Sequence, residues 1–176
     1  MKVLVAGIGN VFLGDDGFGV EVVRRLSAEH AAEIPPWVRV VDYGIRGMHL
    51  AYDLAGTGYD LTIMIDATTR GDAPGTVYVI ELDLPLAAPP PVLDAHGMRP
   101  DVVLNLVAML GENPGPILLV GCEPAMLDQR MGLSPAVERA VGPAARAVLD
   151  LIAAPELGSR KEPPCAWASP ARWSRS

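Results

Sequence analysis

Short, β-branched apolar runs alternate along the chain with segments of helical periodicity. This alternation is typical of a parallel sheet whose strands are joined by helices that cover its faces. The sequence therefore predicts a three-layer α/β fold, in which a central, mostly parallel sheet of about five strands has helices on both faces. The predicted strands are 2–6, 38–42, 61–66, 76–82 and 117–121.

Helical patterns separate several of these strands. The apolar stripe within residues 17–30 predicts an amphipathic helix, and the almost wholly apolar residues 101–110 predict a mostly buried one. Ser134 followed by Pro135 is typical of an N-cap and a first helical residue, and an apolar stripe continues from there to residue 152. Pro143 predicts a kink in that last helix, because proline lacks the N–H that would bond to the preceding turn.

The composition predicts one domain and a tail. The chain has 176 residues, half of them apolar, which is enough for one substantial core and too few for two ordinary domains. After residue 154 the sequence is rich in Pro, Ser and Arg and has no apolar stripe. We therefore expect a single α/β domain over residues 1–154 and a disordered C-terminal tail over 155–176.

Charge and hydropathy exclude several classes of partner. The net charge of −7 and the absence of a basic stripe argue against a nucleic-acid binder, because phosphate contacts need clustered Lys and Arg. The apolar run at the N-terminus is far shorter than a membrane span of roughly 20 residues. Cys122 and Cys165 are not arranged as a CxxC metal site, so both are expected to be free thiols. These observations predict a cytoplasmic protein with no membrane partner, which we expect to be a monomer.

A glycine-rich turn over residues 7–19 follows the first strand, as it does in dinucleotide-binding folds. Phe12 replaces the third glycine of that motif, and its bulk is expected to oppose close packing of helix on strand. Asp15 and Asp16 would also place negative charge where a pyrophosphate should sit. Asp42, at the end of the second strand, is the one feature that favours a dinucleotide-dependent oxidoreductase, so we keep this class only as an alternative.

Carboxylates and a histidine follow three of the predicted strands. Of the adjacent Asp15 and Asp16, we expect one to cap the following helix and Asp16 to be functional. Asp66 ends the third strand, where it either caps a turn or faces the ligand crevice of an open sheet, and His96 lies in a Pro-rich loop after the fourth. In a parallel sheet all three would lie at one end. Two carboxylates and an imidazole suit Zn, Ni or Mn.

Nucleophilic catalysis has less support in the sequence. There is no GxSxG motif, and Cys122 is the one thiol that could approach the same crevice. Cysteines at strand ends are most often small buried apolar residues, so we expect Cys122 to be structural. His30 and His49 fall in helical patterns and are expected at the surface.

Five motifs in order resemble the nickel-iron hydrogenase maturation endopeptidases. They are GIGN with GDDGFG (7–19), DYGI with GM (42–48), IDA (65–67), APGT (73–76) and GLSP (132–135). The resemblance implies an α/β fold with a metal-recognition site, whose residues correspond here to Asp16, Asp66 and His96. Asp16 and Asp66 would then be the catalytic carboxylates of an aspartyl-type endopeptidase.

The resemblance also implies a substrate. Such an enzyme removes the C-terminal extension of a nickel-iron hydrogenase large-subunit precursor once nickel has been inserted. Nickel is then recognised in the substrate and is not a resident cofactor, although zinc or cadmium can occupy the site. Either metal Lewis acidity or a carboxylate acting as general base would activate the attacking water. The alternative is a non-catalytic nickel-binding accessory protein with the same three ligands.

Overall fold

The computed structural model describes residues 1–83, 100–111 and 114–154, and all five predicted strands are present there. The strands are β1 (Val3–Ile8), β2 (Val38–Gly44), β3 (Leu61–Ala67), β4 (Val77–Leu82) and β5 (Ile117–Cys122). The helices are α1 (Phe18–Glu29), α2 (Gly47–Thr57), α3 (Pro100–Met109) and α4 (Pro135–Ala153). His96 and the predicted tail lie outside the described residues, so their predictions stay open.

The strand order is β2-β1-β3-β5-β4, and every neighbouring pair is parallel except β4 with β5. In that antiparallel pair Val77 lies opposite Cys122 and Leu82 lies opposite Ile117. The mostly parallel sheet is therefore confirmed. Because β4 is antiparallel, its carboxyl end lies at the opposite end of the sheet from the carboxyl ends of β1 and β3. The connection 68–76 is too short for a crossover helix, which explains why β4 reverses direction. We expected His96 to lie at the same end of the sheet as the two aspartates because it follows a parallel strand. That reason was wrong, since β4 is antiparallel.

Both faces of the sheet are covered, as the three-layer prediction requires. Along β1, Val3 and Val5 pack in one core with residues of α1 and α4, whereas Leu4 and Ala6 pack in a second core with residues of α2 and α3. This alternation follows from the period of two in a β-strand, which sends successive side chains to opposite faces. All of these side chains are fully buried.

The helices follow the predictions with one difference, which concerns α3. The Ser134 hydroxyl accepts the Val137 N–H at 3.5 Å, which confirms the predicted cap of α4. That helix continues through Pro143 to Ala153, and the kink expected at Pro143 stays a prediction. α3 is buried along one side only, and Met109 at its end is exposed. No helix among the described residues is long and apolar enough to cross a membrane.

Two glycines allow α1 to lie directly against the sheet. A Cβ on Gly7 would be 2.4 Å from the Gly19 carbonyl oxygen, and a Cβ on Gly19 would be 2.1 Å from the Ile65 carbonyl oxygen. Side chains at either position would force the helix away from β1 and β3. Phe12 does not oppose this packing, contrary to the sequence expectation, because its side chain is 62% exposed.

Candidate active site

Asp16 and Asp66 lie at the same end of the sheet, after β1 and near the end of its neighbour β3. Asp16 belongs to a 3₁₀ turn, Gly14–Gly17, between β1 and α1, and Asp66 lies near the end of β3. β1 and β3 are hydrogen-bonded neighbours, with Gly7 opposite Ile65. The strand order reverses between them, and open α/β sheets bind ligands outside the carboxyl ends of the strands at such a switch point. The structure therefore places both predicted carboxylates at the expected ligand crevice.

The Asp16 carboxylate holds the turn after β1 and does not cap α1. It accepts the Asn10 N–H at 2.7 Å, while the N-cap of α1 is Gly17 and receives no side-chain hydrogen bond. Asp16 is half-buried, and this burial raises the pKa of its carboxyl group, although the Asn10 hydrogen bond acts in the opposite direction. A carboxylate that is partly withdrawn from water is a better base than a fully exposed one.

Gly9 allows the turn to fold back on Asp16. The backbone of Gly9 has φ +129°, and a Cβ there would be 1.8 Å from the Asp16 carbonyl oxygen. A residue with a side chain would therefore both strain the backbone and clash. The glycine-rich motif thus serves the placement of Asp16.

Asp15 has a structural role at a distant point of the chain. Its carboxylate is fully buried and accepts N–H groups from Ala125 at 2.8 Å, Met126 at 3.1 Å and Ser134 at 2.6 Å. Ser134 is the N-cap residue of α4, so Asp15 stabilises the start of α4. The expectation that one of the adjacent aspartates caps the following helix was wrong, because Asp16 accepts the Asn10 N–H and Asp15 accepts N–H groups from residues 125, 126 and 134.

Asp66 is 4% exposed and lies opposite Gly121 in the β3–β5 register. A Cβ on Gly121 would be 2.2 Å from the ring of Tyr78, so this glycine makes room for the aromatic side chain. The Tyr78 hydroxyl donates to the Thr68 carbonyl at 2.6 Å. Burial raises the pKa of Tyr78, and the negative charges of Glu123 and Asp66 add to the effect, so Tyr78 stays neutral beside the site.

Glu123 is a buried carboxylate that the sequence analysis missed. It is 4% exposed and accepts the Arg70 N–H at 2.7 Å and the Gly71 N–H at 3.3 Å. These bonds fix the β3–β4 connection, and the Arg70 guanidinium lies 4.5 Å from the centre of the Tyr78 ring. A carboxylate directly after an apolar strand was the signal that identified Asp66, and the same signal would have identified Glu123.

Cys122 is buried and protonated. Burial, together with the negative charges of Asp15 and Glu123, raises the pKa of its thiol to about 12. The thiolate is the nucleophilic form, and almost none is present at neutral pH. Cys122 therefore packs as a small apolar residue, as expected from the sequence.

Two of the three predicted metal ligands are in the described part of the chain. Within residues 1–83, 100–111 and 114–154, no three His, Cys, Asp or Glu side chains are grouped so that they could hold a metal ion. Asp16 and Asp66 provide two carboxylates at the crevice, and His96 lies outside these ranges. The complete ligand set stays a prediction.

Comparison with known proteins assigns the family. A family model described as hydrogenase maturation protease matches residues 20–151. The chain is also 33% identical over 150 residues to the hydrogenase 2 maturation protease of Escherichia coli strain K12, which covers 85% of this chain and 89% of the relative. The chain belongs to the hydrogenase maturation protease family.

Solved hydrogenase maturation proteases have the same fold. The hydrogenase maturating endopeptidase HybD from E. coli superimposes with a TM-score of 0.70 at 31% identity, covering 87% of this chain and 93% of that one. The hydrogenase 2 maturation peptidase from Thaumarchaeota archaeon SCGC_AB-539-E09 gives a TM-score of 0.65 at 30% identity, covering 87% and 99%.

Membership of the hydrogenase maturation proteases confirms the resemblance found in the motifs. The protein is thus a peptidase, which sets aside both the dinucleotide-dependent oxidoreductase and the non-catalytic accessory protein. The match to the family model begins at residue 20, so Asp66 lies within it and Asp16 lies just before it.

Proposed function

We propose that this protease removes the C-terminal extension from the large-subunit precursor of a nickel-iron hydrogenase after nickel insertion. The relatives named hydrogenase maturation proteases support the protein substrate. The observation that carries the proposal is the pair of carboxylates, Asp16 and Asp66, at the switch point between β1 and β3.

Nickel in the precursor is the group that this site recognises. Asp16, Asp66 and His96 would contact it, since carboxylate and imidazole both suit a divalent transition metal. Without a cation, two carboxylates at one crevice repel each other, and the burial of Asp16 disfavours its charged form. A divalent ion brought by the substrate removes both penalties. The metal is therefore part of the substrate, and zinc or cadmium would act at the same site only as substitutes.

The chemistry assigned to the carboxylates is general base catalysis. A carboxylate takes a proton from water as the water oxygen bonds to the scissile carbonyl carbon. The C–N bond then breaks, and the proton passes to the leaving amine. Asp16 and Asp66 are the carboxylates placed for this role, because both lie at the crevice where the substrate would bind. Activation of water by the Lewis acidity of nickel is the alternative and would use the same residues as contacts.

We propose that the reaction takes place in the cytoplasm and that the protease acts as a monomer. The buried, free thiol of Cys122 is compatible with a reducing compartment. The net charge of −7 favours a soluble protein over a nucleic-acid or membrane binder.

The direct test is cleavage of the purified precursor. The nickel-loaded precursor is incubated with the protease, and the mass of the intact product is measured. We expect the product to lack a C-terminal peptide, with the loss dependent on the protease. An unchanged mass after prolonged incubation would refute the proposed function.

A further inference from the structure

Apolar side chains are concentrated around the carboxyl end of the sheet. Ten large apolar side chains are exposed in the part of the chain that the structure describes, and five of these come from the loops after β1, β2 and β5. We call these five the apolar rim: Val11, Phe12, Ile45, Leu127 and Met131. Phe12 and Met131 are the most exposed, at 62% and 71%.

Backbone hydrogen bonds join the three loops into one surface. The Gly9 N–H donates to the Gly44 carbonyl at 3.1 Å, which joins the loops after β1 and β2. The Gly14 N–H donates to the Arg130 carbonyl at 2.8 Å, which joins the loops after β1 and β5. Asp16 lies in the first of these loops. The apolar rim is therefore continuous with the candidate active site.

The composition of these loops is that of a protein-binding surface. The segments 10–13, 45–46 and 124–132 of these loops contain no Lys or Glu and a single acidic residue, Asp128, although the whole chain is acidic. The acidic residues that adjoin these segments are buried or half-buried: Asp15, Asp16 and Glu123. They contain Phe, Met and Arg, the residue types enriched at the centres of protein interfaces, where Lys and Glu are depleted. Methionine side chains are also flexible enough to fit an irregular apolar partner.

We propose that the apolar rim binds an apolar stretch of the precursor polypeptide next to the scissile bond and docks the substrate before cleavage. This inference rests on the proposed function, because the occupant is the precursor. A second copy of the chain is the less suitable occupant, since it would cover the crevice of Asp16 and Asp66. The rim takes no part in the chemistry, so its contacts contribute to binding and not to the catalytic step.

A matched pair of double variants tests this docking surface. Phe12→Ser with Met131→Ser removes the two most exposed rim side chains. Tyr52→Ser with Met109→Ser is the control, since these side chains are 61% and 59% exposed but lie on α2 and α3. With nickel-loaded precursor we expect the rim variant to raise KM about tenfold with kcat within about twofold of wild type. The control should leave both constants unchanged.

Each outcome is decisive for the docking surface. If wild type cleaves the precursor and the rim variant keeps the wild-type KM, the docking surface is refuted while the proposed function stands. A fall in kcat at constant KM would place the rim residues in the catalytic arrangement and also refute docking. If sedimentation shows a wild-type dimer that the rim variant abolishes, the rim binds a second copy instead. If wild type does not cleave the precursor at all, the proposed function fails, and the docking inference with it.

Folding of the variants is checked by circular dichroism and thermal melting. We expect both double variants to melt near the wild-type temperature, because the four side chains are mostly exposed. Should the rim double variant fail to fold, Phe12→Ser and Met131→Ser are measured singly, with the same expected direction in KM.

Discussion

The Asp15 carboxylate accepts the Ser134 N–H at 2.6 Å and so joins the turn after β1 to the start of α4. Its sequence neighbour Asp16 accepts only the Asn10 N–H among the described residues and is partly exposed at the crevice. Two adjacent residues of the same type therefore have different roles, one in stability and one at the candidate site.

Asp15→Ala is expected to destabilise the fold severely. The substitution leaves three N–H donors, one buried and two partly buried, without their charged acceptor, which should lower the free energy of unfolding by about 3 kcal/mol. Urea denaturation followed by circular dichroism measures the change, with Asp16→Asn as the control. Wild-type stability of Asp15→Ala would mean that the loop after β5 is held by other contacts.

Asp16→Asn is expected to fold normally and to cleave slowly. Its side-chain oxygen can still accept the Asn10 N–H, but the variant lacks the negative charge that attracts a divalent ion and accepts a proton. We expect cleavage of nickel-loaded precursor to slow by about 100-fold or more, with measurable activity retained by Asp16→Glu. Exposed Asp150→Asn on α4 is the control. A wild-type rate for Asp16→Asn would limit Asp16 to holding its turn.

The raised pKa of Asp16 predicts the pH dependence of its contribution to stability. Because the folded-state pKa lies above the unfolded value of about 3.9, the contribution is fully favourable below that value and is lost as pH rises through the folded-state pKa. Compared with wild type, Asp16→Asn should therefore gain stability at pH 7 relative to pH 4. Urea midpoints at both pH values measure this, and a gain at pH 4 relative to pH 7 would show the opposite sign.

Precursor that lacks nickel is expected to remain uncleaved. Without the metal, the carboxylates of Asp16 and Asp66 have no cation to bind, so the substrate loses the contact that positions it. Nickel-loaded and nickel-free precursor are compared by product mass under identical conditions. Efficient processing of the nickel-free form would remove nickel recognition from the proposed function while leaving the peptidase assignment intact.

Cys122→Ser and Cys122→Ala are both expected to retain cleavage activity. The thiol is buried with a pKa of about 12, so it provides no thiolate at neutral pH. Ser places a hydroxyl in an apolar site and should be about 1–3 kcal/mol less stable, whereas Ala separates this effect from chemistry. Steady-state rates with the nickel-loaded precursor provide the measurement. Loss of all activity in a folded Cys122→Ala protein would instead indicate a cysteine nucleophile.

Local patterns in the sequence were sufficient to predict the strands and the type of fold. All five strands were found within about two residues, because short β-branched apolar runs are local signals that need no knowledge of distant partners. The start of α4 at Ser134 and Pro135 was equally local, since capping depends on a few consecutive residues. The position of Asp16 and Asp66 at one end of the sheet was also predicted, because the carboxyl ends of parallel strands lie together, while their role in cleavage stays a prediction.

The way in which these elements are used depends on tertiary contacts. The direction of β4 depends on its pairing with β5, and a strand has the same pattern in either direction. The separate roles of Asp15 and Asp16 depend on N–H donors more than a hundred residues away, at Ala125, Met126 and Ser134. The apolar rim likewise exists only because three loops, distant in sequence, are joined at the carboxyl end of the sheet. Periodicity and capping report on neighbouring residues, whereas these features arise from contacts that form when the chain folds.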